Sequence, residues 1–171
     1  MKKAVILFSL LLIICLAGCE KTVSTADEML EIMQREGEIS AELRECGTLV
    51  NGDTLLLIAS EGADERVSTY CAAEFSITEE GKYRFEVMVD RDMYKLGWQV
   101  EMCKWKKGYA LVSCNKDAKK VRIRIKESGE PEREMLVEIE KIPWVYYLDM
   151  SGTKTDYDIN YTLLDSFGRE M

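Results

Sequence analysis

The sequence predicts a mainly β protein: an antiparallel β-sandwich of about eight or nine strands preceded by one short N-terminal helix. Three observations carry this expectation. From Leu49 onward apolar and polar residues alternate with a period of two, and turn residues interrupt the alternation about every eight to twelve positions. Both prolines, Pro131 and Pro143, fall between apolar runs, where a missing N–H breaks no ladder. Only one stretch, near the N-terminus, has the spacing of an amphipathic helix.

That helix is expected to start after Thr25. Thr25-Ala26-Asp27-Glu28 has the form of a capping box, in which the Thr25 hydroxyl accepts from the Glu28 N–H and the Glu28 carboxylate returns to the cap. Met29, Leu30, Ile32 and Met33 then supply an apolar stripe, and Gly37 is a plausible stop. Residues 38–46 read as a further turn or two, so the helical segment is expected to cover 26–46 and the sandwich 47–171. Strands are expected near 53–60, 67–78, 82–90, 98–105, 109–115, 120–126, 134–141, 144–149 and 157–164.

Two hairpins can be set in register. Glu79-Glu80-Gly81 and Lys106-Lys107-Gly108 both suit a three-residue loop whose last position is left-handed, a conformation glycine adopts without steric cost. The first register pairs Phe75 with Phe85 and Ile77 with Tyr83, placing Cys71, Ala73, Val87 and Val89 on the same buried face. The second pairs Cys114 with Val100 and Val112 with Met102 on the face of Trp98, and Cys103 with Leu111 and Trp105 with Tyr109 on the other. Both faces of this second hairpin are partly apolar, so each needs a cover, and the amphipathic helix is the available one.

The chain has 171 residues, with 31 acidic and 23 basic side chains and a net charge of −8. Such a surface is a poor match for nucleic acid or anionic lipid. Histidine is absent, which removes the usual general base, the Ser-His and Cys-His nucleophile pairs and the commonest zinc ligand. A non-enzymatic role without cofactor is therefore expected. A hydrolase relying on two carboxylates has no sequence signal in its favour.

The N-terminus opens with Lys2 and Lys3, runs apolar from Ala4 to Ala17 and reaches Leu16-Ala17-Gly18-Cys19. The run is short for a bilayer span, which needs about 20 apolar residues, and has the proportions of a signal peptide. Leu-Ala-Gly-Cys resembles the lipobox of bacterial lipoprotein precursors. That resemblance implies cleavage before Cys19, a diacylglycerol on its thiol, and a mature protein anchored on the extracytoplasmic side of a bacterial cell membrane. Residues 19–25 would then be a lipidated tether. Loss of residues 1–18 removes two lysines and brings the net charge to −10.

Outside the cytoplasm thiols tend to be oxidised, so Cys46, Cys71, Cys103 and Cys114 are expected to form two disulfides. The second hairpin's register puts Cys103 and Cys114 on opposite faces, which leaves Cys71 with Cys114 and Cys46 with Cys103 as the expected pairs. Four reduced buried thiols are the alternative. A zinc site is disfavoured, because no close C-x-x-C pair is present.

Among candidate sites, Trp105 beside Lys104, Lys106 and Tyr109 is expected at an exposed loop, where an aromatic surface flanked by cations would bind a ligand. Trp98 and part of the Trp144-Val145-Tyr146-Tyr147 run are expected in the core. Arg122, Arg124 and Lys126 share one strand face. They are expected to form a salt-bridge ladder, with Arg122 opposite Glu140 and Arg124 opposite Glu138, rather than an anion site. Asp156, Asp158 and Asn160 begin like a calcium loop, but Tyr161 and Phe167 stand where its glycine and glutamate belong, so no metal is expected. Glu79-Glu80-Gly81-Lys82-Tyr83-Arg84-Phe85 resembles the Asp-x-Gly-x-Tyr-x-Cys corner of immunoglobulin-like domains and also jelly-roll hairpins, which implies a sandwich. The expected function is that of a membrane-anchored binding module for an envelope protein or polysaccharide. An accessory subunit of a membrane-associated complex is the alternative.

Overall fold

The computed structural model describes residues 22–61, 69–94, 100–153 and 156–171. The signal segment, Cys19 and Trp98 lie outside them. No helix among the described residues is long and apolar enough to cross a membrane.

The one helix among the described residues, α1 (Ala26–Gly37), begins as its residues dictate. Thr25 accepts from the Glu28 N–H at 3.3 Å, and the Glu28 carboxylate accepts from the backbone of Thr25 at 3.2 Å and of Ser24 at 2.8 Å. Glu38 ends it in a left-handed conformation, φ 55°. The helix therefore stops well short of residue 46. The chain turns, and Leu43–Asn51 forms a strand, because Leu43 and Cys46 are buried there while Arg44 and Glu45 face solvent. The expected tether is also shortened, since Thr22–Val23 pairs with residues 83–84 and Val23 is buried.

Among the described residues, eleven strands form three antiparallel sheets. The first contains β1 (Thr22–Val23), β2 (Leu43–Asn51), β3 (Thr54–Glu61), β4 (Thr69–Ile77) and β5 (Tyr83–Tyr94), in the order β1-β5-β4-β3-β2. The second contains β6 (Glu101–Trp105), β7 (Gly108–Ser113) and β10 (Trp144–Asp149), in the order β10-β7-β6. The third contains β8 (Lys120–Glu127), β9 (Arg133–Glu138) and β11 (Tyr157–Leu164), in the order β11-β8-β9.

Three apolar cores stack these elements into a sandwich-like pile. Met29, Ile32 and Met33 of α1 pack on Leu57, Ala73 and Phe75 of the first sheet. The opposite face of that sheet, with Leu56, Ile58 and Tyr70, meets Trp105, Ala110 and Val112 of the second. The second sheet's other face, with Leu111, Trp144 and Leu148, meets Val121, Ile123 and Leu163 of the third. The second sheet is thus the inner layer, which explains why its hairpin is apolar on both sides. Its covers are the first and third sheets; the helix covers the far face of the first sheet instead. Full burial of side chains such as Phe75 and Leu57 contributes roughly 1.5–3 kcal/mol each.

The two hairpins differ from expectation in instructive ways. In β4–β5 the expected pairs Phe75–Phe85 and Ile77–Tyr83 form, and Gly81 is left-handed at φ 73°. Beyond them a bulge shifts the ladder, so Met88 takes the inner position expected of Val87, Val87 is exposed, and Val89 turns to the second sheet. The loop joins neighbouring strands of one sheet, whereas an immunoglobulin corner links strands of different sheets. In β6–β7 the loop has two residues, Lys106 and Lys107, and the pairs are Met102–Leu111, Cys103–Ala110 and Trp105–Gly108. That is a one-residue shift from the expected register, and it moves every side chain of one strand to the other face.

The charged ladder exists in a different register. Arg124 lies opposite Glu134 at 2.9 Å and Lys120 opposite Glu138 at 2.8 Å, while Arg122 meets Glu170 at 2.8 Å. The shift of four residues preserves the faces, so Val121, Ile123 and Ile125 stay buried.

Candidate functional site

The β6–β7 hairpin, the turn after β10 and the start of β11 enclose an open cavity of about 540 Å³, within the range of small-ligand sites. One wall is cationic, formed by Lys104, Lys106 and Lys107. Another is aromatic, formed by Tyr109 and Tyr157, whose hydroxyls hydrogen-bond each other at 3.0 Å. The floor is the turn Met150-Ser151-Gly152-Thr153.

Each wall follows from local sequence. Gly108 lets the hairpin lie directly on β10: a Cβ there would sit 2.1 Å from the Leu148 carbonyl oxygen and 3.0 Å from the Tyr147 ring. The Met150 N–H donates to the Lys107 carbonyl at 3.0 Å and ties the floor to the hairpin. Lys106 carries the turn in a left-handed conformation, φ 51°, unusual for a residue with a Cβ. Asp149 orders the floor by accepting from the Ser151 N–H at 2.8 Å and from the Ser151 hydroxyl. Those bonds, with Lys107 nearby, hold its carboxyl below the usual range. Thr153 accepts from Arg133, which also pairs with the buried Glu127 at 2.7 Å. The bond between the two hydroxyls pushes the Tyr157 phenol above its ordinary value.

Of the four residues expected to form a ligand surface, the structure brings Lys104, Lys106 and Tyr109 together and turns Trp105 away. Trp105 is 3% exposed, donates its indole N–H to Glu74 at 2.6 Å and meets Tyr147 edge-on with ring centroids 5.5 Å apart. The one-residue register shift causes this, placing Trp105 on the face that meets the first sheet. Glu74 also accepts from Lys106 at 2.8 Å, so one carboxylate clamps both residues of the hairpin end to β4. Glu74, Tyr157 and the Ser151–Thr153 turn were not legible as site residues. Their signal is spatial, since β4, β10 and β11 come together with the hairpin only through packing.

The expected disulfides do not form; all four cysteines are thiols. Cys71 sits in the core between α1 and the first sheet, whereas Cys114 sits between the first and second sheets, so a sheet separates them. Cys103 shares the apolar cluster of Cys46 yet remains a thiol, and burial pushes it up to about 12, with Asp90 adding to the effect. Cys46 hydrogen-bonds with Cys114, which packs against the same cluster.

Asp158 and Asn160 lie on the outer face of β11 opposite Lys126 and Arg124. Trp144 is buried and stacks on Tyr146 with centroids 5.6 Å apart. Among the described residues no cluster of Cys, Asp and Glu is placed to hold a metal ion. What fold and site define together is a three-sheet, mainly β protein with a lysine- and tyrosine-lined cavity at one end of its inner sheet. No protein-family model, curated protein or solved structure matches this chain.

Proposed function

We propose that the protein is a bacterial lipoprotein, anchored through diacylglycerol on Cys19, whose cavity binds an anionic polysaccharide of the cell envelope. The observation that carries this reading is the concentration of Lys104, Lys106 and Lys107 beside the Tyr109–Tyr157 pair, on a chain with 31 acidic against 23 basic residues. Lysines attract phosphate or carboxylate as point charges, and tyrosine rings offer apolar faces with hydroxyls at their rim, which suits a charged sugar. The absence of histidine from the sequence supports binding over catalysis. Three residue steps separate Cys19 from Thr22, the first described residue, a reach of at most about 10 Å. The lipid would therefore hold the domain close against the membrane.

A test uses the full chain in detergent, titrated with purified cell-wall polysaccharide carrying phosphate or carboxylate groups. Binding that weakens at least tenfold in Lys104→Glu/Lys107→Glu and falls steeply with added salt supports the site; equal binding by both proteins refutes it. Cys19→Ser should abolish incorporation of labelled palmitate. The accessory-subunit alternative draws on Leu136, 53% exposed on the edge strand β9. Recovery of one stoichiometric protein by wild type and lysine variant alike, lost with Leu136→Lys, would favour it.

A further inference from the structure

The core between the first and second sheets contains a chemical group that sugar binding does not use. Cys46 is the extra residue of the bulge in β2, where the ladder with β3 jumps between Glu45 and Gly47. The bulge aims its side chain into the second sheet. Gly47, next to it, allows β2 to approach β10 closely, since a Cβ there would lie 3.0 Å from Val145. Cys114 follows β7, whose Val112 pairs with that same Val145, so the two cysteines converge from different sheets. They share one apolar cluster with Tyr70. The buried Tyr70 hydroxyl has no hydrogen-bond partner of ordinary geometry and faces the Cys114 thiol.

We propose that Cys46 and Cys114 form a redox-closable pair, a disulfide that locks the first sheet to the second, while Cys71, in the core between α1 and the first sheet, and Cys103, on β6, remain thiols. The two thiols already hydrogen-bond within one apolar cluster, reached from different sheets. Cys46 is buried and Cys114 half-buried, which sets the order of events. The Cys114 thiolate attacks a protein or small-molecule disulfide, the oxidant, and expels one of its sulfurs as a thiolate. The Cys46 thiolate then attacks the Cys114 sulfur of the mixed disulfide and expels the second. Two electrons pass to the oxidant, and the two thiol protons end on its released sulfurs. On the extracytoplasmic side such oxidants are available.

The full chain, purified in detergent without reductant, is incubated with oxidised glutathione, alkylated, digested and mapped by mass spectrometry without reduction. The expected product is a single bridged peptide pair containing Cys46 and Cys114, with Cys71 and Cys103 alkylated only after denaturation. Because the bridge closes a loop of roughly 70 residues, the thermal midpoint should rise by roughly 10 °C over the reduced protein. Cys114→Ala should stay unbridged and melt with the reduced wild type. Cys103→Ala, which retains both partners, should bridge as the wild type does. Four alkylated thiols, a lasting glutathione adduct on Cys114, or any other pairing would overturn the proposal.

Discussion

The β4–β5 and β6–β7 hairpins carry the same signature, two like charges and a glycine, and the structure uses that glycine for opposite purposes. In Glu79-Glu80-Gly81 the glycine supplies backbone freedom: φ is 73° and nothing lies within 4 Å of where its Cβ would be. In Lys106-Lys107-Gly108 the left-handed position falls to Lys106, and the glycine is a strand residue whose missing side chain lets β7 press on β10. One glycine answers a dihedral requirement, the other a packing requirement. The difference moves the second register by one residue, buries Trp105 and presents Lys104 and Tyr109 to the cavity.

The largest expected effect separates the two glycines directly. Gly108→Ala should cost about 4 kcal/mol or more, because a backbone carbonyl occupies the methyl's place and cannot yield as a side chain can. Gly81→Ala should cost only about 1–2 kcal/mol, the strain of a left-handed alanine in open space. Urea denaturation of both variants checks this; similar losses would mean that the second loop has three residues after all. Next in size, Trp105→Phe should lose about 1–3 kcal/mol, since it keeps the packing but deprives the partly buried Glu74 of its indole donor. An exposed Trp105 would show no loss, and its fluorescence would be quenched by added iodide in the native state.

The inner hairpin should also add to the protein's alkaline sensitivity, alongside Cys46, whose thiol the Cys114 bond and burial push up as well. The Cys103 thiol is pushed up to about 12 in the fold, above the value of 9.0 it has when unperturbed, so the unfolded chain gives up this proton first. Stability is then fully present below about pH 9 and declines between pH 9 and 12, by at most about 1.4 kcal/mol per pH unit. Cys103→Ala should make that part of the urea-midpoint profile less steep, leaving the share due to Cys46. An unchanged slope would remove Cys103 as its origin. The smallest effect belongs to the outer sheet: Arg124→Ala breaks an exposed pair with Glu134 and should change stability by less than about 1 kcal/mol.

Legibility followed how locally each feature is specified. The capping box at Thr25 and Glu28, the stop near Gly37, the turn at Gly81 and most strand positions depend on hydrogen bonds and dihedrals within a few residues, and all were readable. Three of the cavity's residues, Lys104, Lys106 and Tyr109, were readable as a group because they surround one hairpin turn. Strand β2 was missed because its bulge at Cys46 interrupts the alternation. The Arg122–Lys126 ladder was recognised by its charge pattern yet placed four residues out, since alternation fixes the face of a strand but tolerates even shifts.

The chain's own order of residues determined its class, the helix Ala26–Gly37 and its charge, because backbone preference and period-two alternation act over short stretches. Only the tertiary structure decided which sheet covers which, where Trp105 points and which cysteines meet. The inner sheet is apolar on both faces, so alternation alone does not distinguish its registers. Contacts brought from β4, β10 and the third sheet break that tie: the Glu74 clamp, the Gly108 contact with Leu148 and the apolar cover supplied by β8 and β11.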